Sequence, residues 1–68
     1  MIESVLPIVS FGEHSSVVLK VREHLNLLGD DLLDAPLAEL IRGVQSAKHL
    51  PVTGDLDYAT LRVIGIEP

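Results

Sequence analysis

The sequence predicts an all-α protein: a compact three-helix bundle built from an internal helix–turn repeat and preceded by an N-terminal extended arm. Apolar residues recur at helical spacing in three segments, and a residue that favours the N-cap position precedes each segment. The chain also repeats its own pattern after 23 residues, which is the separation of Asp34 and Asp57. Because 47% of the 68 residues are hydrophobic but only one is Phe and one is Tyr, we expect a single domain with an aliphatic core.

The first helix is predicted over residues 15–28, where apolar residues are spaced by three, four and three positions. These residues are Val18, Val21, Leu25 and Leu28. Such spacing places them on one side of an α-helix, facing the core. Ser15 or Ser16 can cap the N-terminus of this helix, and Gly29 is expected to close its C-terminus.

The second helix is predicted over residues 35–49, with Asp34 as its N-cap. Pro36 is tolerated in the first turn because its missing N–H would have no partner there. The face predicted to point towards the core consists of Leu37, Leu40, Ile41 and Val44. Pro51 follows this segment and is expected to end the helix.

The third helix is predicted over residues 58–64, with Asp57 as its N-cap and with Leu61 and Ile64 facing the core. The turn that precedes it contains Gly54. We expect this glycine to adopt a positive φ, because other residues resist that conformation.

The 23-residue offset aligns the first two helices and the turns that follow them. The aligned pairs are Val18 with Ile41, Val21 with Val44, Arg22 with Gln45, Leu33 with Leu56, and Asp34 with Asp57. One such unit cannot bury its apolar face alone, so two in tandem are expected to share a core. Leu33, Leu50 and Leu56 are predicted to be buried in that core.

Residues 1–11 form the predicted arm and residues 12–68 the predicted domain. Pro7 indicates an extended segment or a short turn rather than a central strand. The apolar residues of the arm are Ile2, Val5, Leu6, Ile8, Val9 and Phe11. These are too many for a free tail, so the arm is expected either to pack on the bundle or to cover a neighbouring protein.

The charge and hydropathy of the chain limit the kinds of molecule that it is expected to bind. Ten acidic and five basic residues give a formal net charge of −5, which disfavours binding to nucleic acid and to anionic membranes. No apolar run is long enough to cross a bilayer, and the N-terminus lacks the features of a secretory signal. We therefore expect a chain that is cytoplasmic when made, or that reaches the cell wall, the exterior or a virion by another route.

Few side chains could carry catalysis or bind a metal. The candidates are three histidines and one acidic group: His14, His24, His49, Asp30, Asp31 and Asp34. The acidic group could hold a calcium ion, but the calcium-loop motif is missing, which favours a solvated turn. The histidines do not form a zinc motif and no serine lies in a nucleophile elbow, so the sequence predicts no enzyme, metal or cofactor.

An ordered set of positions between residues 12 and 64 resembles a known family. In the first repeat they are Gly12, Ser15, Val18, Val21-Arg22, Leu25 and Leu28-Gly29. In the second repeat they are Leu33-Asp34, Ile41, Val44-Gln45, His49-Leu50, Thr53-Gly54, Leu56-Asp57 and Thr60. The pattern is similar to that of the peptidoglycan-binding-like domains, which are small helical modules of bacterial cell-wall hydrolases with a related form in matrix metalloproteinase propeptides. The resemblance covers nearly the whole chain and implies the three-helix fold.

Four positions depart from the family pattern. Ser15 and His49 stand where the family has glycine, Arg22 where it has glutamine, and Val44 where it has an aromatic residue. Loss of the aromatic residue can remove a platform for sugar binding. The metalloproteinase relatives hold zinc with a cysteine, and this chain has none, so that inhibitory role is excluded.

The resemblance implies a non-catalytic module that anchors a protein or particle to bacterial peptidoglycan. The candidate ligand-binding residues are Gln45, Asp57 and Tyr58. Each has a structural alternative: Gln45 can hold a turn, Asp57 can cap a helix, and Tyr58 can lie at the edge of an amphipathic helix. The alternative function is a structural or docking subunit of a larger assembly, such as a bacteriophage particle, that makes protein–protein contacts without binding glycan.

Overall fold

The structure, a computed structural model, describes residues 7–66 and contains three α-helices in this part of the chain. They are α1 (Ser16–His24), α2 (Ala35–Ala47) and α3 (Tyr58–Ile64), and α3 packs against both of the others. The predicted all-α, three-helix class is confirmed. Among residues 7–66, none of the helices has the length and apolar character needed to span a membrane.

All three predicted N-caps are present. The Ser15 hydroxyl accepts a hydrogen bond from the N–H of Val17 at 3.2 Å. The Asp34 and Asp57 carboxylates each accept one from the backbone N–H three residues later, at 3.1 and 2.7 Å. These bonds satisfy N–H groups that have no partner within the helix, and they determine where each helix begins.

Helix α1 ends at His24, four residues before its predicted end. Asn26 adopts a left-handed conformation (φ 58°), and the N–H of Leu27 donates to the carbonyl of Arg22 at 2.8 Å. This closing arrangement turns the chain away from the helix axis. The predictions for Leu28 and Gly29 were therefore wrong, since Leu28 is 96% exposed and Gly29 lies beyond the cap.

Helix α2 closes in the same way at the equivalent position of the second repeat. His49 is left-handed (φ 60°), and the N–H of Leu50 donates to the carbonyl of Gln45 at 2.8 Å. The helix therefore ends at Ala47 instead of His49, before Pro51 is reached. The repeat predicted from the sequence thus includes its helix ends, at Asn26 and His49.

The buried face of α2 is rotated from the predicted one. Leu37 and Ile41 are buried as predicted, and Val44 is half-buried. Leu40 is 48% exposed, so its predicted burial was wrong. The other buried side chains of this helix are Ala38 and Gln45, which lie on the side of the Leu37–Ile41 row away from Leu40.

The core is aliphatic, as predicted, and draws on every element. Its members are Val9, Val18, Val21, Leu33, Leu37, Ile41, Leu56 and Leu61, and each is at most 1% exposed. Leu25 and Ile64 are partly buried and pack against this cluster. Burial of Leu33 and Leu56 confirms the two repeat positions, whereas Leu50 is only half-buried.

The described end of the arm packs on the bundle. Val9 is buried and exchanges backbone hydrogen bonds with Leu56, at 3.1 Å and 2.9 Å. The N–H of Phe11 donates to the Asp55 carboxylate at 2.8 Å, and the N–H of Gly12 donates to the carbonyl of Leu33 at 2.9 Å. Residues 8–12 therefore tie together the turns of both repeats, while the predictions for Ile2, Val5 and Leu6 lie outside the described residues.

Candidate functional site

Asp57 and Tyr58 lie together at the start of α3, as their adjacency in sequence requires. Asp57 is the N-cap, and its carboxylate accepts the N–H of Thr60 at 2.7 Å. Tyr58 is the first helical residue and is 44% exposed. Asp57 therefore has a structural bond that fixes the first turn, and this turn presents the Tyr58 ring to solvent.

A cation that the sequence analysis missed joins this site. Cζ of Arg62 lies 5.5 Å from the centroid of the Tyr58 ring, within the range of a cation–π interaction. The two residues are four apart on one helix, which places them on the same face. That spacing was visible in the sequence and would have been sufficient to find Arg62.

Gln45 occupies the core instead of the surface. Its side chain is fully buried, and Oε1 accepts the N–H groups of Thr53 and Gly54 at 2.9 and 3.0 Å. Nε2 lies within 3.0–3.2 Å of three acceptors: the hydroxyl of Thr53, the carbonyl of Asp55 and the hydroxyl of Thr60. The burial of Gln45 leaves no part of its amide exposed to a ligand. The amide instead holds the turn before α3.

Arg22 has the same role at the equivalent position of the first repeat. It is 7% exposed, and its guanidinium donates to the carbonyls of Asp30, Leu28 and Leu32 at 2.8, 3.2 and 2.9 Å. Arg22 thus holds the turn of the first repeat, as Gln45 holds the turn of the second. The guanidinium also packs closely on Gly29, where an added Cβ would lie 2.6 Å from an Arg22 nitrogen.

The three carboxylates of the acidic group after α1 have different partners. Asp30 accepts the N–H of Leu32 at 3.0 Å, and Asp31 pairs with His14 at 2.7 Å. Asp34 caps α2 and pairs with Arg22 at 3.1 Å. Within residues 7–66 no group of three or more potential ligand side chains is placed to hold a metal ion.

The pKa of the Asp34 carboxyl is lowered in the folded chain. The N–H of Leu37 is the main cause that lowers the pKa of Asp34 from its ordinary value of 3.8, and Arg22 acts in the same direction. The carboxylate therefore stays charged to lower pH in the folded chain. Its contribution to stability is present above pH 3.8 and is lost as the pH falls through the lowered pKa.

The three histidines are exposed and lie in different surroundings. His14 lies between the arm and the turn of the first repeat, and His24 lies at the end of α1. His49 occupies the left-handed position after α2. The exposure of the histidines follows the expectation from the sequence.

We expect the His14 imidazole to titrate above its ordinary pKa of 6.5, because it pairs with the Asp31 carboxylate and lies near Asp30. This pair stabilises the fold fully below pH 6.5, and its contribution is lost as the pH rises through the raised pKa. NMR titration of the imidazole signals should show a lower pKa of His14 in an Asp31→Asn variant. Equal pKa values in the two chains would contradict the pairing.

Apolar side chains are also exposed at several places on the surface. The large ones are Ile8, Phe11, Leu19, Leu28, Leu40, Val52, Tyr58 and Val63. Phe11 (57%) and Ile8 (44%) flank the buried Val9 on the arm. Single exposed apolar residues are normal on a protein surface. Ile8 and Phe11 differ because they lie three residues apart on a segment that is fixed to the bundle, and such a pair can contact a partner protein.

No protein-family model matches the chain, and no curated protein or solved structure matches it. The resemblance to peptidoglycan-binding-like domains therefore rests on the residues and spacings quoted for it.

Proposed function

We propose that this chain is a non-catalytic binding module that attaches a protein or particle to bacterial peptidoglycan. The observation that carries the proposal is the pairing of Tyr58 with Arg62 on the exposed face of α3. A flat aromatic ring can pack against the apolar face of a sugar, and a guanidinium can bind the carboxylates of stem peptides. Peptidoglycan offers both groups within one repeating unit.

The rigidity of this face supports the proposal. The first turn of α3 is held by the Asp57 cap, and the buried Thr60 hydroxyl lies 3.0 Å from Nε2 of Gln45. The turn that carries Tyr58 is therefore held in place by the Asp57 cap and by the bond between Thr60 and Gln45. A pre-ordered ring loses less conformational entropy on binding, which favours affinity for a weakly interacting sugar polymer.

The chain should co-sediment with insoluble peptidoglycan, and Tyr58→Ala should weaken this binding about tenfold, since an aromatic contact of this kind contributes roughly 1 kcal/mol or more. Val63→Ala is the matched control, because Val63 is an exposed apolar residue of the same helix. The control variant should bind as the unchanged chain does. Binding through ring contact should respond only mildly to salt, whereas a purely ionic attraction is screened over a Debye length of about 10 Å at 0.1 M.

Two results would count against this proposal. Failure of the folded chain to sediment with peptidoglycan at low salt would rule out wall attachment. Full binding by Tyr58→Ala would keep wall attachment but remove Tyr58 from the site.

A docking function is the second candidate, and the exposed pair on the arm favours it. Ile8 and Phe11 project from a segment that backbone hydrogen bonds fix to Leu56 and Leu33. In this case the chain is a structural subunit of a larger assembly, such as a bacteriophage particle, and these side chains contact its neighbour. Phe11→Ser would then reduce incorporation into the assembly, and neither the unchanged chain nor this variant would sediment with peptidoglycan.

A further inference from the structure

A surface cavity lies between α1 and the segment that follows α3, at the opposite end of α3 from Tyr58. Its volume is about 520 Å³, and it is lined by Lys20, Glu23, His24, Gly65 and Ile66. It is open to solvent on one side, so it can contact a small molecule without enclosing it. Neither the turns nor the candidate site at Tyr58 uses any of the three polar side chains in it.

The walls of the cavity are held in place. Lys20, Glu23 and His24 share one face of α1, since they are three and four residues apart. On the opposite side, the N–H of Ile66 donates to the carbonyl of Leu61 at 2.9 Å, and the Ile66 side chain packs against the core. Gly65 has φ 107°, and an added Cβ would lie 2.9 Å from Nε2 of His24. The glycine therefore allows the imidazole to lie directly against the chain.

The charges in the cavity select for a ligand that carries both signs. Lys20 provides an ammonium group and Glu23 a carboxylate, and among residues 7–66 no hydrogen bond or ion pair occupies either of them. A simple anion would be opposed by Glu23 and by the net charge of −5, and a simple cation would be opposed by Lys20. A zwitterion satisfies both groups and has no net charge.

We propose that this cavity binds a short zwitterionic peptide with small apolar side chains. The peptide carboxylate pairs with Lys20, its ammonium group pairs with Glu23, and an apolar side chain packs on Ile66. A dipeptide spans about 7 Å, which is comparable to the separation of about 5–6 Å between Cβ atoms three residues apart on a helix. This inference does not depend on wall attachment, because the cavity and Tyr58 lie at opposite ends of α3.

The test is a titration of the ¹⁵N-labelled chain with alanyl-alanine in its L,L and D,D forms, followed by amide NMR shifts. Such a ligand binds with a Kd on the order of 1 mM, so each probe is added to about 20 mM. We expect shifts concentrated at residues 20–24 and 65–66. N-acetyl-alanyl-alanine, which lacks the ammonium group, and alanyl-alanine amide, which lacks the carboxylate, should each bind roughly fivefold more weakly.

Lys20→Met and Glu23→Gln should each weaken binding of alanyl-alanine by a similar factor, roughly fivefold. Glu39→Gln on α2 and Lys48→Met at the C-cap of α2 are matched controls away from the cavity and should have no effect. Tyr58→Ala should have none either. Tighter binding of the D,D form would assign the site to peptides derived from cell walls, and tighter binding of the L,L form to ordinary peptides. Absence of cavity shifts with both forms, or unchanged affinity in Lys20→Met and Glu23→Gln, would overturn the proposal.

Discussion

Gln45→Leu is expected to lower the free energy of unfolding by roughly 3–5 kcal/mol, although it places a hydrophobic residue in the core. The N–H groups of Thr53 and Gly54 would lose the carbonyl oxygen that they share, and an unpaired buried group such as the Gly54 N–H costs about 1–3 kcal/mol. The buried hydroxyl of Thr60 would lose its partner as well. Better burial of an apolar side chain offsets only part of this loss. Urea denaturation followed by circular dichroism measures the difference.

A double-mutant cycle with Thr60→Val separates lost hydrogen bonds from altered packing. In the unchanged chain, Thr60→Val removes a hydroxyl that bonds to Nε2 of Gln45 and should destabilise by about 1 kcal/mol. In the Gln45→Leu background the same change removes an unpaired hydroxyl and should cost little or even stabilise. A coupling energy of at least about 0.5 kcal/mol is therefore expected for these two contacting residues.

Ser46→Leu is the control for an added leucine on α2, because Ser46 is exposed beside Gln45, and its effect should stay within about 0.5 kcal/mol. A small domain has little stability to lose, so Gln45→Leu can unfold completely. The comparison is then made in trimethylamine N-oxide, which favours the folded state. A loss below about 1 kcal/mol for Gln45→Leu would show that the turn before α3 does not depend on this amide.

The helix starts could be predicted from the sequence because capping is a local interaction. Ser15, Asp34 and Asp57 each bond to an N–H only two or three residues ahead. The start of each helix is thus encoded within four consecutive residues.

The helix ends were harder to predict. Asn26 and His49 adopt the left-handed conformation without being glycine, and Gly29, which was expected to do so for α1, comes three residues later. Contacts beyond the apolar pattern favour this conformation: Leu27 packs against the core, and the N–H groups of Leu27 and Leu50 donate to the carbonyls of Arg22 and Gln45. A pattern of apolar spacing contains none of this information.

The buried polar residues explain the remaining differences. From hydropathy, the polar residue Gln45 is expected on the surface of α2. A helix oriented in that way has Leu40 facing the core. Gln45 is buried because its partners lie 8–15 residues further along the chain and satisfy its amide completely. Alignment of Arg22 with Gln45 correctly predicted that the two are equivalent, but not that both are buried.

The candidate site was predictable only in part. Asp57 and Tyr58 are neighbours in sequence, so their proximity followed directly, whereas Gln45 was assigned to the same site from its amide alone. The cavity at Lys20, Glu23 and Ile66 depends on how the end of α3 packs against α1, a long-range contact with no local signal.

Leu33→Ala and Leu56→Ala are each expected to lower the free energy of unfolding by roughly 2–5 kcal/mol, as large-to-small changes in a core do. Both side chains are completely buried, and each precedes the N-cap of a helix. The Leu56 backbone also bonds to Val9 of the arm, and the Leu33 backbone bonds to Gly12, which directly follows the arm. The leucines therefore occupy the point where the arm, the turn and the core of each repeat meet. Urea denaturation measures both losses on the same scale.

Leu28→Ala is the matched control, because the same substitution is made at a leucine that is 96% exposed. Its effect should stay within about 0.5 kcal/mol, as is usual for surface positions. The contrast tests the repeat itself: the 23-residue offset makes Leu33 and Leu56 equivalent, so their losses should be similar and both should exceed that of Leu28. Losses below about 1 kcal/mol at both buried sites would disprove this alignment, since no leucine that fills a shared core can be shortened without leaving a cavity.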